Sequence, residues 1–449
     1  MLFRKAEKPI QEFLEKRSDK VLIVSGARQV GKSFLIRHVG KSLFKNFIEI
    51  NLIEDYQGRR LFEEVRTIDD FYLTLSMMAG SSLGGREDTL IFLDEIQQYP
   101  QLLTLLKFLR QDNRYCYVAS GSLLGVSLRQ SVSIPIGSIE ILQMYPLDFE
   151  EFLIANGVGK QLLDHLKECF DKRKSPEVSV HEFVLELFKK YLLVGGMPAA
   201  VNAYRDTRNI VKVREVQRTI RDLYALDAGQ YDEEHKLKIK RIYELIPSNL
   251  ENKKKRLFFS QVEGRPARST EYMEEIDYLI SSGVALEVKA VSNPVFPLTE
   301  SSRKNLLKLY LNDVGMLTEA LYKNNIKAVL SDENGVNLGS VYECAVAMEL
   351  ASLGHSLFYY DNRHKGEVDF LVDNYEDLSV IPIEVKSGKD YKRHCAISAF
   401  VQNQDYKVKF GLILSNSGEV EIKNNLIYLP CYMSMFLKYS GEEEQEVYF

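Results

Sequence analysis

The sequence has no tryptophan, and its five cysteines, Cys116, Cys169, Cys344, Cys395 and Cys431, are scattered with no Cys-x-x-Cys pair among them. That spacing argues against both a zinc site and a disulfide framework, so the thiols are expected to be reduced and mostly buried. No apolar run is long enough to cross a bilayer. The amino terminus, Met1-Leu2-Phe3-Arg4-Lys5-Ala6-Glu7-Lys8, turns charged at once and lacks an apolar signal core, so the expected compartment is cytoplasmic, with no membrane partner. An excess of positive charge is missing too: the formal net charge is −5, which excludes a global attraction to nucleic acid and leaves any DNA contact to a local basic surface. Internal repeats and low-complexity blocks are absent.

What is present is an ordinary globular composition, 45% hydrophobic and 27% charged, spread over 449 residues. That length exceeds what a single hydrophobic core organises, and two to four domains are expected. The first part alternates short apolar runs with helical stretches: Val21-Leu22-Ile23-Val24-Ser25, Phe47-Ile48-Glu49-Ile50-Asn51, Leu90-Ile91-Phe92-Leu93, Tyr115-Cys116-Tyr117-Val118-Ala119 and Ile139-Glu140-Ile141-Leu142. Such alternation predicts a parallel sheet covered by helices, over residues 1–155. Mainly helical sequence follows, read as a lid over 156–230. Residues 231–300 run from helices into Val284-Ala285-Leu286-Glu287-Val288 and a proline-containing stretch, which suggests a winged-helix unit closed by a small hairpin. From 301 to 449 strand and helix signals mix again, ending in an acidic tail at 441–446 that reads as solvated.

The segment Gly26-Ala27-Arg28-Gln29-Val30-Gly31-Lys32-Ser33 matches a P-loop, directly after a predicted strand and directly before the helix that opens Lys32-Ser33-Phe34. In such a loop the glycines permit the tight turn, backbone N–H groups and the helix amino terminus hold phosphate, the lysine reaches the β and γ phosphates, and the Ser33 hydroxyl ligates Mg²⁺. ATP and Mg²⁺ are the expected cofactors. Further on, the apolar run Leu90-Ile91-Phe92-Leu93 ends in Asp94-Glu95 and resembles a Walker B strand. Asp94 would hold the magnesium and Glu95 would orient and deprotonate the attacking water. One strand between the motifs and another after Walker B resemble the additional-strand, catalytic-glutamate branch of P-loop ATPases. By that resemblance Ser120 is a polar sensor of the γ phosphate, a plain Ser-Gly turn being the alternative.

A second constellation lies near the carboxyl terminus. Lys365-Gly366-Glu367-Val368-Asp369-Phe370-Leu371-Val372 and Ile381-Pro382-Ile383-Glu384-Val385-Lys386 read as strands, and Tyr342-Glu343-Cys344-Ala345-Val346 opens a helix. If the strands pair, Glu367, Asp369, Glu384 and Lys386 converge, and the helix is placed to add Glu343. A helical Glu, a strand Asp and then Glu-x-Lys resembles the PD-(D/E)XK nuclease superfamily. The resemblance implies that Asp369 and Glu384 bind a second divalent metal, Mg²⁺ or Mn²⁺, with Glu343 in support and Lys386 positioning a water. His364 and His394 read as structural or solvated.

Between these sites, Lys253-Lys254-Lys255-Arg256 with Arg265 and Arg268 form a basic stretch, suited either to phosphate contacts with DNA or to a solvated loop. Arg214, Arg218 and Arg221 occur at helical spacing, where an arginine finger or solvated side chains would fit equally.

Taken together, the chain resembles a widespread family of prokaryotic AAA-superfamily ATPases with a C-terminal PD-(D/E)XK-like domain of unassigned function. The shared residues include Leu93-Asp94-Glu95-Ile96-Gln97, Ser120-Gly121-Ser122, Tyr145-Pro146-Leu147-Asp148-Phe149-Glu150-Glu151-Phe152, Gly195-Gly196-Met197-Pro198 and Lys308-Leu309-Tyr310-Leu311-Asn312-Asp313-Val314-Gly315, besides the motifs above. One departure is Ser138, where relatives often carry a basic residue after the glycine matched by Gly137. The implied function is an ATPase that couples nucleotide state to a DNA-directed module. The alternative is a signalling or scaffold ATPase whose terminal domain binds a protein partner, or self-associates, without cleaving DNA.

Overall fold

The structure is a computed structural model that describes residues 1–449 apart from 55–59, 80–82, 123–136, 228–232, 331–337, 363–365, 389–391, 393 and 439–449. His364 and the acidic tail therefore lie outside the described residues. Two compact units emerge: Phe3–Tyr145 with Asp277–Val284, and Pro146–Ile276 with Ala285–Phe449.

In the first unit the five apolar runs form one parallel sheet. Its strands are β1 (Val21–Ser25), β2 (Asn46–Asn51), β3 (Thr89–Asp94), β4 (Cys116–Gly121) and β5 (Ile139–Gln143), ordered β2-β3-β4-β1-β5. Every residue of β1, β3 and β4 is buried, because helices cover both faces of a central parallel strand and leave no side for polar alternation. The edge strands β2 and β5 are only partly buried and carry Asn46, Glu49 and Glu140. Inserting β4 between β1 and β3 pairs Val24 with Ser120 and Leu93 with Ala119. The carboxyl ends of three strands thus meet side by side, which is where an open α/β sheet places its ligand.

The second unit contains an eight-stranded sheet in the order β12-β13-β11-β10-β9-β8-β6-β7. Its strands are β6 (Ala285–Val291), β7 (Ser302–Leu311), β8 (Phe358–Asn362), β9 (Gly366–Asn374), β10 (Ser379–Lys386), β11 (Gly411–Ser415), β12 (Glu421–Lys423) and β13 (Leu426–Pro430). The helix Gly339–Ser352 is buried from 340 to 351, all the way round, which accounts for its lack of a distinct polar face.

Two expectations change. The hairpin expected to close a winged helix is β6 and β7, but β6 also takes β8 as a parallel neighbour at Lys289–Phe358 and Ala290–Tyr359. It is the edge of the larger sheet rather than a free wing, and the boundary expected at residue 300 falls inside it. The helices expected as a lid over 156–230 pack within the second unit, for a local reason. Buried Asp313 accepts hydrogen bonds from the backbone N–H of Gly196 (2.6 Å), Met197 (3.2 Å) and Met316 (2.8 Å), capping the helix Val314–Tyr322 while gripping the Gly195-Gly196 turn. A Cβ on Gly196 would sit 2.0 Å from the Leu147 carbonyl oxygen, so only glycine fits there. Nearby, buried Arg214 bonds the carbonyls of Leu193 and Gly315 and the Thr318 hydroxyl, while Arg218 and Arg221 pair with Glu319. These three arginines tie the second unit together, and none of them is a free finger.

Burial pushes the Asp313 carboxyl up to about 6 from 3.8, against the pull of its N–H donors. A raised carboxyl favours the folded state below its unfolded value, and that contribution is lost as pH rises through about 6. Asp313→Ala strips the capping acceptor from three buried N–H groups and is expected to cost about 1–3 kcal/mol. Thermal unfolding should show a lower midpoint for the variant, and a flatter pH dependence of stability between about 4 and 6 than the parent.

Candidate functional site

The loop after β1 has the backbone that its composition requires. Gly26, Gln29 and Gly31 lie at φ 148, 64 and 100°, and a Cβ at Gly26 would meet the Met144 carbonyl oxygen at 2.1 Å. Ala27 and Val30 are buried beneath the loop, whereas Phe34, on the first helical turn, is exposed. The helix Lys32–Leu43 begins at Gly31 with no side-chain cap, so its first N–H groups remain available to an anion. Lys32 is buried and donates to the carbonyls of Gly26 and Ala27, both at 2.8 Å, closing the cradle on itself. Burial lowers its pKa, while Glu95 and Asp94 pull it up and Arg28 pushes it down.

The carboxyl ends of β3 and β4 complete the site. Ser33 Oγ donates to Asp94 Oδ1 at 2.8 Å, joining the P-loop to the second motif. Ser120 Oγ donates to the same oxygen and accepts from the Glu95 N–H at 3.4 Å, so the expected sensor hydroxyl braces both acidic residues. Burial raises the Asp94 carboxyl above its ordinary value, offset by these two hydroxyl donors. A carboxylate desolvated in this way, with a hydroxyl 2.8 Å off, suits Mg²⁺ held on the phosphates of a nucleotide: Ser33 and Asp94 would hold the ion, and the cradle and Lys32 the phosphates.

Three residues gain a role that their sequence context did not assign. Gln97 donates to Glu95 Oε2 and, at 3.2 Å, to Ser122 Oγ, which itself donates to Glu95 Oε2 at 3.1 Å. Both stand in motifs shared with the resembling family, which was the available signal. Buried Arg4 bonds the carbonyls of Val30 (2.7 Å) and Tyr145 (2.6 Å), bracing the loop from beneath. Nothing in a charged amino terminus points to that.

In the second unit β9 and β10 pair antiparallel, with Phe370 opposite Ile383, and bring the C-terminal residues together. Asp369 Oδ2 accepts from the Val385 N–H at 2.9 Å, Lys386 Nζ lies 2.6 Å from Glu384 Oε1, and Tyr310 donates to Glu343 at 2.8 Å. Burial, then Glu343 and Glu384, push Asp369 up to about 8. The convergence is as expected; its filling is not. Lys255 pairs with Glu343, and fully buried Lys308 pairs with Glu367. Among the described residues no group of three His, Cys, Asp or Glu side chains is placed to hold a metal ion. The carboxylates as they stand do not fit the second metal, because ammonium groups compensate them. Within the basic stretch Lys254 and Arg256 both pair with Asp361, and Arg265, itself exposed, pairs with Glu263 and Glu271. His394 is held by Ser398 and Tyr428 and is structural. All five cysteines are free, and Cys395 alone of them is exposed.

Residues 18–153 match the family model described as an AAA domain. With the sheet order and the paired motifs, they form an AAA-type P-loop ATPase domain. Residues 185–327 and 338–432 match two domains of unknown function, DUF8612 and DUF4143. Among solved structures the chain is similar to the Walker-type ATPase PABY2304 of Pyrococcus abyssi, with 14% identity, a TM-score of 0.45, and coverage of 72% of this chain and 96% of that one. It is also similar to Cdc6p of Pyrobaculum aerophilum, at 13% identity and a TM-score of 0.29, covering 74% and 95%. For the RuvB Holliday junction branch migration motor of Thermotoga maritima the figures are 15%, 0.28, 63% and 89%. None of the curated proteins compared with the chain matches it. Among the described residues no helix is long and apolar enough to cross a membrane.

Removing the Lys32 ammonium in Lys32→Ala should weaken ATP binding by about 100-fold or more, close to 2.7 kcal/mol, in a calorimetric titration. Glu95→Gln should bind ATP as the parent does and lose about 100-fold or more in kcat, the scale of a missing general base. Gln97→Ala, which removes one of the two side-chain donors to Glu95 Oε2, should lose about tenfold in kcat with KM for ATP within about twofold; an unchanged kcat would remove Gln97 from this role.

Proposed function

We propose that the protein is a Mg²⁺-dependent ATP hydrolase whose nucleotide state controls a C-terminal nuclease-like module directed at DNA. The observation that carries the ATPase reading is the Ser33–Asp94–Ser120 chain of hydrogen bonds with Glu95 beside it. Bound Mg²⁺ would neutralise charge developing on the phosphates. The protein residues divide the remaining work: the loop N–H groups and Lys32 orient the phosphates, and Glu95, steadied by Gln97 and Ser122, takes a proton from water. Ser120 is the residue through which a sensor would act. Proton transfer by a positioned carboxylate contributes about 10²–10⁴ in rate.

The chain path supports coupling. After the excursion Pro146–Ile276, which belongs to the second unit, residues Asp277–Val284 belong to the ATPase unit. There Gly283, at φ 74°, would place a Cβ 3.0 Å from the Ala27 nitrogen. Two residues later the chain enters β6. Any shift of the P-loop backbone is thereby felt next to the segment that leads into the larger sheet.

For the terminal module, the pairing of β9 with β10 beneath the helix Gly339–Ser352 supports the resemblance to PD-(D/E)XK domains. A second reading, a module that binds a partner without cleaving DNA, is favoured by one observation: lysines neutralise its carboxylates. ATP turnover should rise at least about threefold on adding linear or branched DNA under the first reading, with Gly283→Val abolishing the rise. ATP turnover indifferent to every DNA tested, together with stable co-purification of a protein, would establish the second.

A further inference from the structure

The carboxylates of the C-terminal cluster lie on three elements, Glu343 on the helix Gly339–Ser352, Glu367 and Asp369 on β9 and Glu384 on β10. Among the described residues the positive charges that pair with them are ammonium groups. Lys386 comes from β10, Lys308 from β7, and Lys255 from the loop that follows the helix Glu233–Leu250. Lys255 differs from the other two. It is not part of the sheet but hangs on a short strap, and it holds a left-handed backbone, φ 50°, which is uncommon for a non-glycine residue and is enforced here by its neighbours.

The enforcement is visible on either side. Lys254 Nζ lies 2.7 Å from Asp361 Oδ2, Arg256 pairs with that same carboxylate, and Arg256 Nε donates to the Tyr359 hydroxyl at 2.8 Å. Burial works against the charge of Lys255, yet Glu343 and Asp369 hold it firmly protonated. One acceptor remains unmet: among the described residues Glu384 Oε2, on a residue only 6% exposed, has no hydrogen-bond partner. A buried carboxylate oxygen without a donor is costly, and a hard cation would satisfy it.

We propose that the strap 253–256 is a lock on this cluster. Lys255 supplies the positive charge that a divalent cation would otherwise bring, so metal is excluded while the strap is docked and admitted when it leaves. The proposal rests on the nuclease-like reading of the module. It makes the basic stretch an intramolecular inhibitor whose removal, by a partner or by a change in nucleotide state, is the condition for metal entry.

Mn²⁺ binding to the full chain without nucleotide, counted by electron paramagnetic resonance of the free ion, tests it. The parent chain should show no Mn²⁺ site that Asp369→Asn removes. Lys255→Ala, and Lys255→Met with its aliphatic stem retained, should each gain one such site, with affinity at least about tenfold above the parent. Lys254→Ala/Arg256→Ala, which keeps Lys255 but unpins the strap, should gain it too and covers the case in which the cluster needs the lysine to fold. An Asp369-dependent site already present in the parent overturns the lock and leaves the nuclease-like reading standing. Folded variants that gain no site, with circular dichroism matching the parent, overturn the lock and the metal-binding reading together.

Discussion

The hydrogen bond from Ser33 to Asp94 is the constraint on which the amino-terminal unit depends. It joins the end of one strand's loop to the end of another strand across an intervening one, β4, which lies between β1 and β3. Sheet order, loop conformation and side-chain chemistry are thus a single requirement. Wholly buried central strands set the order, glycines at positive φ set the loop, and two hydroxyls then hold a carboxylate that burial alone would leave protonated more readily. The site is polar and preorganised at the rim of a dry sheet, where hydrogen bonds and charges act at low dielectric.

The second unit answers a different problem, how to bury charge. Asp313 is surrounded by backbone donors, Arg214 by backbone carbonyls, and the carboxylates around Asp369 by lysines. Removing one partner from such a group leaves the other charged and dry, which is more damaging than never having had the pair. That asymmetry makes the lysine positions informative. A cluster that resembles a metal site by residue type but carries its own cations has a resting state of its own.

The parallel sheet and the ATP site were legible because their signals are local. An apolar run followed by a glycine loop, or by two acids, fixes both an element and the chemistry at its end. The strands β9 and β10 were legible for the same reason, while their antiparallel pairing comes from the structure. What was not legible depends on long-range contacts. Lys255 meets Glu343, and Arg4 meets Tyr145, across stretches of chain that no periodicity spans. Arg214 looked like its neighbours on a polar helix face, and only the packed Gly195-Gly196 turn and the helix Val314–Tyr322 reveal it as interior. The hairpin β6–β7 had the sequence of a wing; its membership of a larger sheet is decided by β8, far downstream.

Phosphate release from ATP by the full chain, followed over many turnovers with Mg²⁺ and again after chelation, bears most directly on the reading of the Ser33–Asp94 site. Sustained release that stops with the chelator and resumes when Mg²⁺ is restored is the expected result. Tight ATP binding with no phosphate released, or release indifferent to Mg²⁺, would contradict it.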